Sequence, residues 1–165
     1  MSVEIMAEVA QGFEGNLKLT ELLTKAALEA GAGSIKFQMI YADELATPDY
    51  QYYDLYKSLE MDFEVWAKTA DEIHKYGKKL YFNVIGDKSM SVAKELKADG
   101  VKIPTSGFYD RDFIRKVLET FPYLYLGVGG IPVEDIESLV QDILGDYSNK
   151  VCLQYGIQSE PTPLE

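Results

Sequence analysis

Ser34-Ile35-Lys36-Phe37-Gln38-Met39-Ile40 is the stretch whose reading decides the fold. It is short, mostly apolar, and preceded by the breakers Gly31 and Gly33. Upstream, Leu19, Leu22, Leu23, Ala26, Ala27 and Ala30 recur at helical spacing, and Gly31 stops that helix. A strand that is apolar without strict alternation has both faces covered. A helix leading into such a strand is one half of a parallel βα repeat.

Working outward, the same grammar repeats. Strands are expected over 3–9, 34–40, 79–85, 100–103, 123–128 and 150–155. Helices are expected over 19–30, 63–76, 92–96, 113–118 and 132–143, with Pro132 suited to a first turn. Residues 41–60, rich in tyrosine, read as an irregular loop with short helical turns. Alternation of this kind predicts parallel strands joined by right-handed crossovers. Gly12 and Gly15 lack the third glycine of a dinucleotide fingerprint, which lowers the open-sheet nucleotide-binding reading. The expected fold class is therefore α/β, a parallel (β/α) barrel of TIM type. With about six strands and five major helices it is incomplete, since a full barrel takes about 250 residues. Residues 1–165 are expected to form one domain, and open edge strands predict a homo-oligomer.

Composition narrows the partners. A chain that is 47% hydrophobic supports a sizeable core, and a formal net charge of −11 repels nucleic acid and anionic membrane. Cys152 is the only cysteine, so no internal disulfide forms and a reducing, cytoplasmic location is expected. No apolar run suits a membrane span.

In a barrel, ligands meet the C-terminal ends of the strands. Glu8, Lys36, Gln38, Asn83, Lys102, Thr105 and Ser106 fall there or just before, as do Asp87, Gln154 and Tyr155. Lys36 and Lys102 each interrupt an apolar strand, where an unpaired charge is heavily penalised. Either they neutralise a phosphate or carboxylate of a small anionic ligand, or they pair with core carboxylates of the protein or face outward at the strand mouths. Lys36 and Gln38, two apart, share a face. Glu8 is a candidate for moving a proton, and also an ion-pair partner for Lys36 or Lys102. Gly127-Val128-Gly129-Gly130 reads equally as an anion cradle or a tight turn. His74, the one histidine, sits at a helix end and is expected to cap it or lie at the surface. Tyr41, Tyr50, Tyr52, Tyr53 and Tyr56 either lid a site or pack their own loop.

Four segments carry a family resemblance. Ala7-Glu8-Val9-Ala10-Gln11-Gly12-Phe13-Glu14-Gly15 resembles A-E-I-G-x-N-H-x-G, the opening motif of the sialic acid synthase family. Ala30-Gly31-Ala32-Gly33-Ser34-Ile35-Lys36-Phe37-Gln38 resembles its A-G-A-D-A-V-K-F-Q. Val101-Lys102-Ile103-Pro104-Thr105-Ser106 resembles K-I-x-S-x-E, and the segment 155–163 resembles H-C-T-S-x-Y-P-T-P. The likeness runs in register over essentially the whole chain.

The resemblance implies a full, dimeric barrel that joins phosphoenolpyruvate to an N-acetylated amino sugar such as N-acetylmannosamine with a divalent metal such as manganese. It implies that Lys36 and Lys102 bind phosphoenolpyruvate, that Thr105 stands where a serine contacts the same ligand, and that Glu8 acts near the sugar. Several positions depart from the pattern. Gly12 and Phe13 replace the first-motif asparagine and histidine, Tyr155 replaces a metal-binding histidine, and Gly107 replaces the fourth-strand glutamate. No metal ligand set is therefore evident. The expected function is a synthase-like domain that condenses or binds phosphoenolpyruvate with an amino sugar. The alternative is a non-catalytic interaction domain derived from the same barrel.

Overall fold

The computed structural model describes residues 3–159, 161 and 162. Glu160 and Pro163 of the closing motif, with Leu164 and Glu165, lie outside the described residues. Six strands and seven α-helices follow one another along the described chain. The chain divides into two compact units, Met1–Asp99 and Gly100–Glu165.

In the first unit β1 (Met6–Ala10), β2 (Ser34–Gln38) and β3 (Lys79–Asn83) pair in parallel and in sequence order. β1 starts three residues later than expected and ends one later, while β2 and β3 each end two residues early. Met39, Ile40 and Val84 stay buried beyond their strands, so the apolar runs continue into the core after the ladder stops. Two longer helices, α1 (Leu17–Glu29) and α4 (Phe63–Lys75), flank two short ones, α2 (Ala42–Leu45) and α3 (Tyr53–Ser58), which are the helical turns expected in the tyrosine-rich loop. The unit ends on α5 (Asp87–Glu95).

The caps explain where α1 begins and ends. The Asn16 side chain accepts from the Leu19 N–H at 3.1 Å, and Gly31 follows at φ +82, a conformation that favours glycine. The buried face of α1 differs from the expected one. Thr20, Thr24 and Leu28 are buried, whereas Leu22, Ala26 and Ala30 are exposed. The threonine hydroxyls bond back to the carbonyls of Asn16 (2.9 Å) and Thr20 (2.7 Å). Satisfied within their own helix, they can be buried without a tertiary partner.

The core of the first unit is aromatic. Trp66, 1% exposed, meets the rings of Phe13, Phe37 and Phe82 edge-on at centroid distances of 5.2, 5.4 and 5.3 Å. Ile35, Leu80 and Ile73 are fully buried as well. Phe37 and Phe82 occupy one face of β2 and β3, so Lys36, Gln38, Tyr81 and Asn83 occupy the other.

In the second unit β4 (Gly100–Ile103), β5 (Leu124–Gly127) and β6 (Val151–Gln154) also pair in parallel. Helix α6 (Arg111–Thr120) starts at Asp110, whose side chain accepts from the Phe113 N–H, and α7 (Val133–Asp142) starts directly after Pro132. Val101, Ile103, Leu124, Leu126, Ile114, Val117, Leu118 and Leu139 form its apolar interior. Lys102, Tyr125 and Cys152 lie in one register row on the opposite strand face from Val101 and Ile103. Repeated βα units with parallel neighbours are those of an α/β chain of (β/α) barrel type, and six of the eight strands of a full barrel are present, which makes it incomplete.

Candidate functional site

A polar row crosses the strands of the first unit. Glu8 is the register partner of Lys36, Lys36 of Tyr81, and Gln38 of Asn83. Lys36 is buried, its side chain 5% exposed, and its Nζ stands 2.5 Å from Glu8 Oε2; the Glu8 side chain is 43% exposed. The other Glu8 oxygen accepts from the Ala10 N–H at 3.1 Å. Asn83 is buried, and among the described residues its Oδ1 has no hydrogen-bond partner. Gln38 is half-buried beside it. The geometry contains the ion pair of Glu8 with Lys36, one of its two expected and compatible roles.

In the second unit a cavity of about 520 Å³ opens at the C-terminal end of β4 and β5, lined by Lys102, Pro104, Thr105, Gly127, Gln154 and Gln158 among others. Pro104 ends β4 and launches a single 3-10 turn, Thr105–Gly107, which brings Thr105 back over β5. A Cβ on Gly127 would stand 2.8 Å from the Thr105 nitrogen and 2.9 Å from its Oγ1. The missing side chain at Gly127 is therefore what lets the Thr105 turn approach. Gly129 serves a similar end, since a Cβ there would meet the Gly156 carbonyl at 2.0 Å, and Gly130 turns at φ +78. In the glycine cluster the close approach of neighbouring backbone is what the geometry shows.

A prediction follows at Gly127. Gly127→Ala is expected to displace the Thr105 turn, lowering stability by about 1–3 kcal/mol through overpacking. Denaturant unfolding beside the parent checks it, and an unchanged midpoint would show the turn has room to spare.

Ser106, expected among the ligand contacts, is exposed and is not one of the residues lining this cavity. Gln158 lines it too; it falls within the closing 155–163 motif, at the serine of the pattern, but was not singled out from the sequence as a contact. A second cavity of about 310 Å³ lies between α1 and α4 in the first unit, lined by Thr24, Lys25, Val65, Lys68 and Thr69 among others. It is on the helix side, away from the strand ends where barrels bind ligands.

The remaining expectations resolve locally. His74, in the last turn of α4, places Nε2 3.1 Å from Asp99 Oδ2, which also accepts from the Leu80 N–H. The loop tyrosines pack on one another. Tyr50 stacks on Tyr56 and meets Tyr52 edge-on, and the Tyr53 hydroxyl donates to Asp43. Burial pushes the Tyr41 phenol above its ordinary pKa, with the Glu60 and Glu44 carboxylates adding to the shift. Lys88 lies over its ring at 3.9 Å.

The resemblance also implied a divalent metal. Tyr155, at the position of a family histidine ligand, is 78% exposed, and His74 is engaged with Asp99. Among the described residues no group of three or more His, Cys, Asp or Glu side chains converges. The donors present do not fit such an ion, and no chemistry of this chain is assigned to one. Among the described residues, too, no helix is long and apolar enough to cross a membrane.

Parallel βα units with lysines set on the strand faces away from the helix-packed core define an α/β protein of the barrel class. The chain belongs to the NeuB family, whose model matches residues 23–165. It is 25% identical over 161 residues to an uncharacterized protein of Methanocaldococcus jannaschii, covering 98% of this chain and 48% of that one. It is 22% identical to the spore coat polysaccharide biosynthesis protein SpsE of Bacillus subtilis, covering 99% and 47%. Its fold matches that of the N-acetylneuraminic acid (sialic acid) synthetase of Leptospira borgpetersenii serovar Hardjo-bovis, solved in complex with citrate. The TM-score is 0.89 at 20% identity, over 99% of this chain and 57% of that one. The chain spans about half the length of the curated relatives it matches. The resemblance read from the four motifs is borne out: this is a sialic acid synthase-like domain.

Proposed function

We propose that the domain binds a small anion of the phosphoenolpyruvate class, with Lys102 and Thr105 as its contacts in the second unit; within the first unit, Lys36 is a separate candidate position for an anion of the same class. The observation that carries this reading is the cavity beside Lys102. A strand-end lysine, a hydroxyl on a tight turn and a backbone kept open by glycine line a space of about 520 Å³. That is the size range of small-molecule sites. A lysine there supplies a point charge, and Thr105 Oγ1 donates to a phosphate or carboxylate oxygen. In a molecule of net charge −11 such a cation is the condition for holding any small anion. That the structural neighbour from Leptospira holds citrate, a small polycarboxylate, supports the same chemistry.

The family reading extends the proposal to an N-acetylated amino sugar as the second ligand, with Glu8 and Asn83 as its candidate contacts. Calorimetry with phosphoenolpyruvate is the test. Saturable heat below millimolar concentration is expected, and none at that concentration overturns the reading. Adding N-acetylmannosamine and following free phosphate then distinguishes condensation from binding alone.

A further inference from the structure

We infer that Glu8 is a built-in counter-ion that an incoming phosphate or carboxylate displaces from Lys36, so that the chain's own carboxylate sets the anion affinity of the first unit. The inference rests on the anion-binding reading above.

The two partners of this ion pair are unequal. The Lys36 side chain is 5% exposed and sits mid-strand, whereas the Glu8 side chain is 43% exposed. The lysine cannot leave; the glutamate can reach water by side-chain rotation alone. A buried ammonium is heavily penalised without an anionic neighbour, so the charged lysine favours one. Among the described residues the carboxylate bonded to Lys36 is Glu8, at 2.5 Å. An anion that takes the place of Glu8 keeps the ammonium compensated, whereas a neutral ligand does not.

The backbone around Glu8 is shaped to hold it there. The β1–β2 register skips between Glu8 and Ala10, a bulge. Ala10 stands at φ 53, in the left-handed region that residues with a Cβ seldom adopt. Through this bulge the Ala10 N–H reaches Glu8 Oε1 at 3.1 Å. Bulges re-aim side chains in this way. Two residues further along the same strand faces, the Asn83 Oδ1 has no hydrogen-bond partner among the described residues. The polar row is thus complete at Lys36 only because Glu8 fills in, and incomplete at Asn83, where a ligand hydroxyl is the missing donor.

The test compares the full chain with Glu8→Gln and Lys36→Met, using inorganic phosphate and phosphoenolpyruvate, by calorimetry and by the shift of melting temperature on adding ligand. Glu8→Gln is expected to bind roughly tenfold tighter than the parent, because the competing carboxylate is gone. Its melting temperature is expected to rise further with phosphate than the parent's, since the anion restores the lysine's lost partner. Lys36→Met should abolish both gains. Equal or weaker binding by Glu8→Gln, with the parent still binding, overturns the displacement and leaves anion binding intact. No binding by the parent or by Glu8→Gln overturns both. Should Glu8→Gln not fold without ligand, Glu8→Asp keeps the charge but shortens its reach. Tighter binding by that variant is expected, and equal or weaker binding overturns the inference.

Discussion

Trp66→Ala is expected to remove about 3–5 kcal/mol of stability from the first unit, the range for emptying a large aromatic site in a packed core. Trp66 is 1% exposed and touches three other rings, those of Phe13, Phe37 and Phe82. These rings come from the segment after β1, from β2 and from β3, so the indole ties α4 to the strands. Edge-to-face contacts add about 0.5–1.5 kcal/mol each beyond area burial, which places the loss toward the upper end. Trp66→Phe keeps part of the ring volume and should lose distinctly less. The chain has one tryptophan, so the variant must be followed by far-ultraviolet circular dichroism in denaturant. A shift under about 1 kcal/mol would mean that this cluster is not the core of the unit.

Lys102→Met is expected to weaken phosphoenolpyruvate binding about 100-fold. A hydrogen bond from a charged donor contributes ~1.5–3 kcal/mol, and about 1.4 kcal/mol is a tenfold change in affinity. Methionine keeps most of the aliphatic stem against the strand while deleting the ammonium. Packing is thereby held nearly constant and charge alone is tested. The parent's affinity should fall with added salt and the variant's much less, because the lost contact is the screened one. Calorimetry across a salt series reads both effects. Unchanged affinity would move the anion site away from the β4 end and sink the proposed function with it.

Much of this was legible in order of residues. The second strand (read as 34–40, with the ladder ending at Gln38), the parallel βα alternation and the family motifs all follow from local pattern. Three features were not legible, each for a physical reason. The buried face of α1 runs through Thr20, Thr24 and Leu28 because backbone bonding hides the threonine hydroxyls, which hydropathy reads as polar. Ser106 follows Thr105 directly yet points away, because a 3-10 turn places successive side chains on different sides. Gln158 joins the Lys102 cavity only because the segment after β6 returns past Gly129, a contact between residues far apart in the chain.

The order of residues by itself determined the class of fold and the family, because periodicity and motif are properties of neighbours along the chain. Tertiary structure alone decided what each charged group meets. Glu8 and Lys36 are 28 positions apart, and nothing local to either says that a bulge at Ala10 will hold one against the other at 2.5 Å. Charge pairing depends on distance and burial in space, and those exist only once strands have found their register.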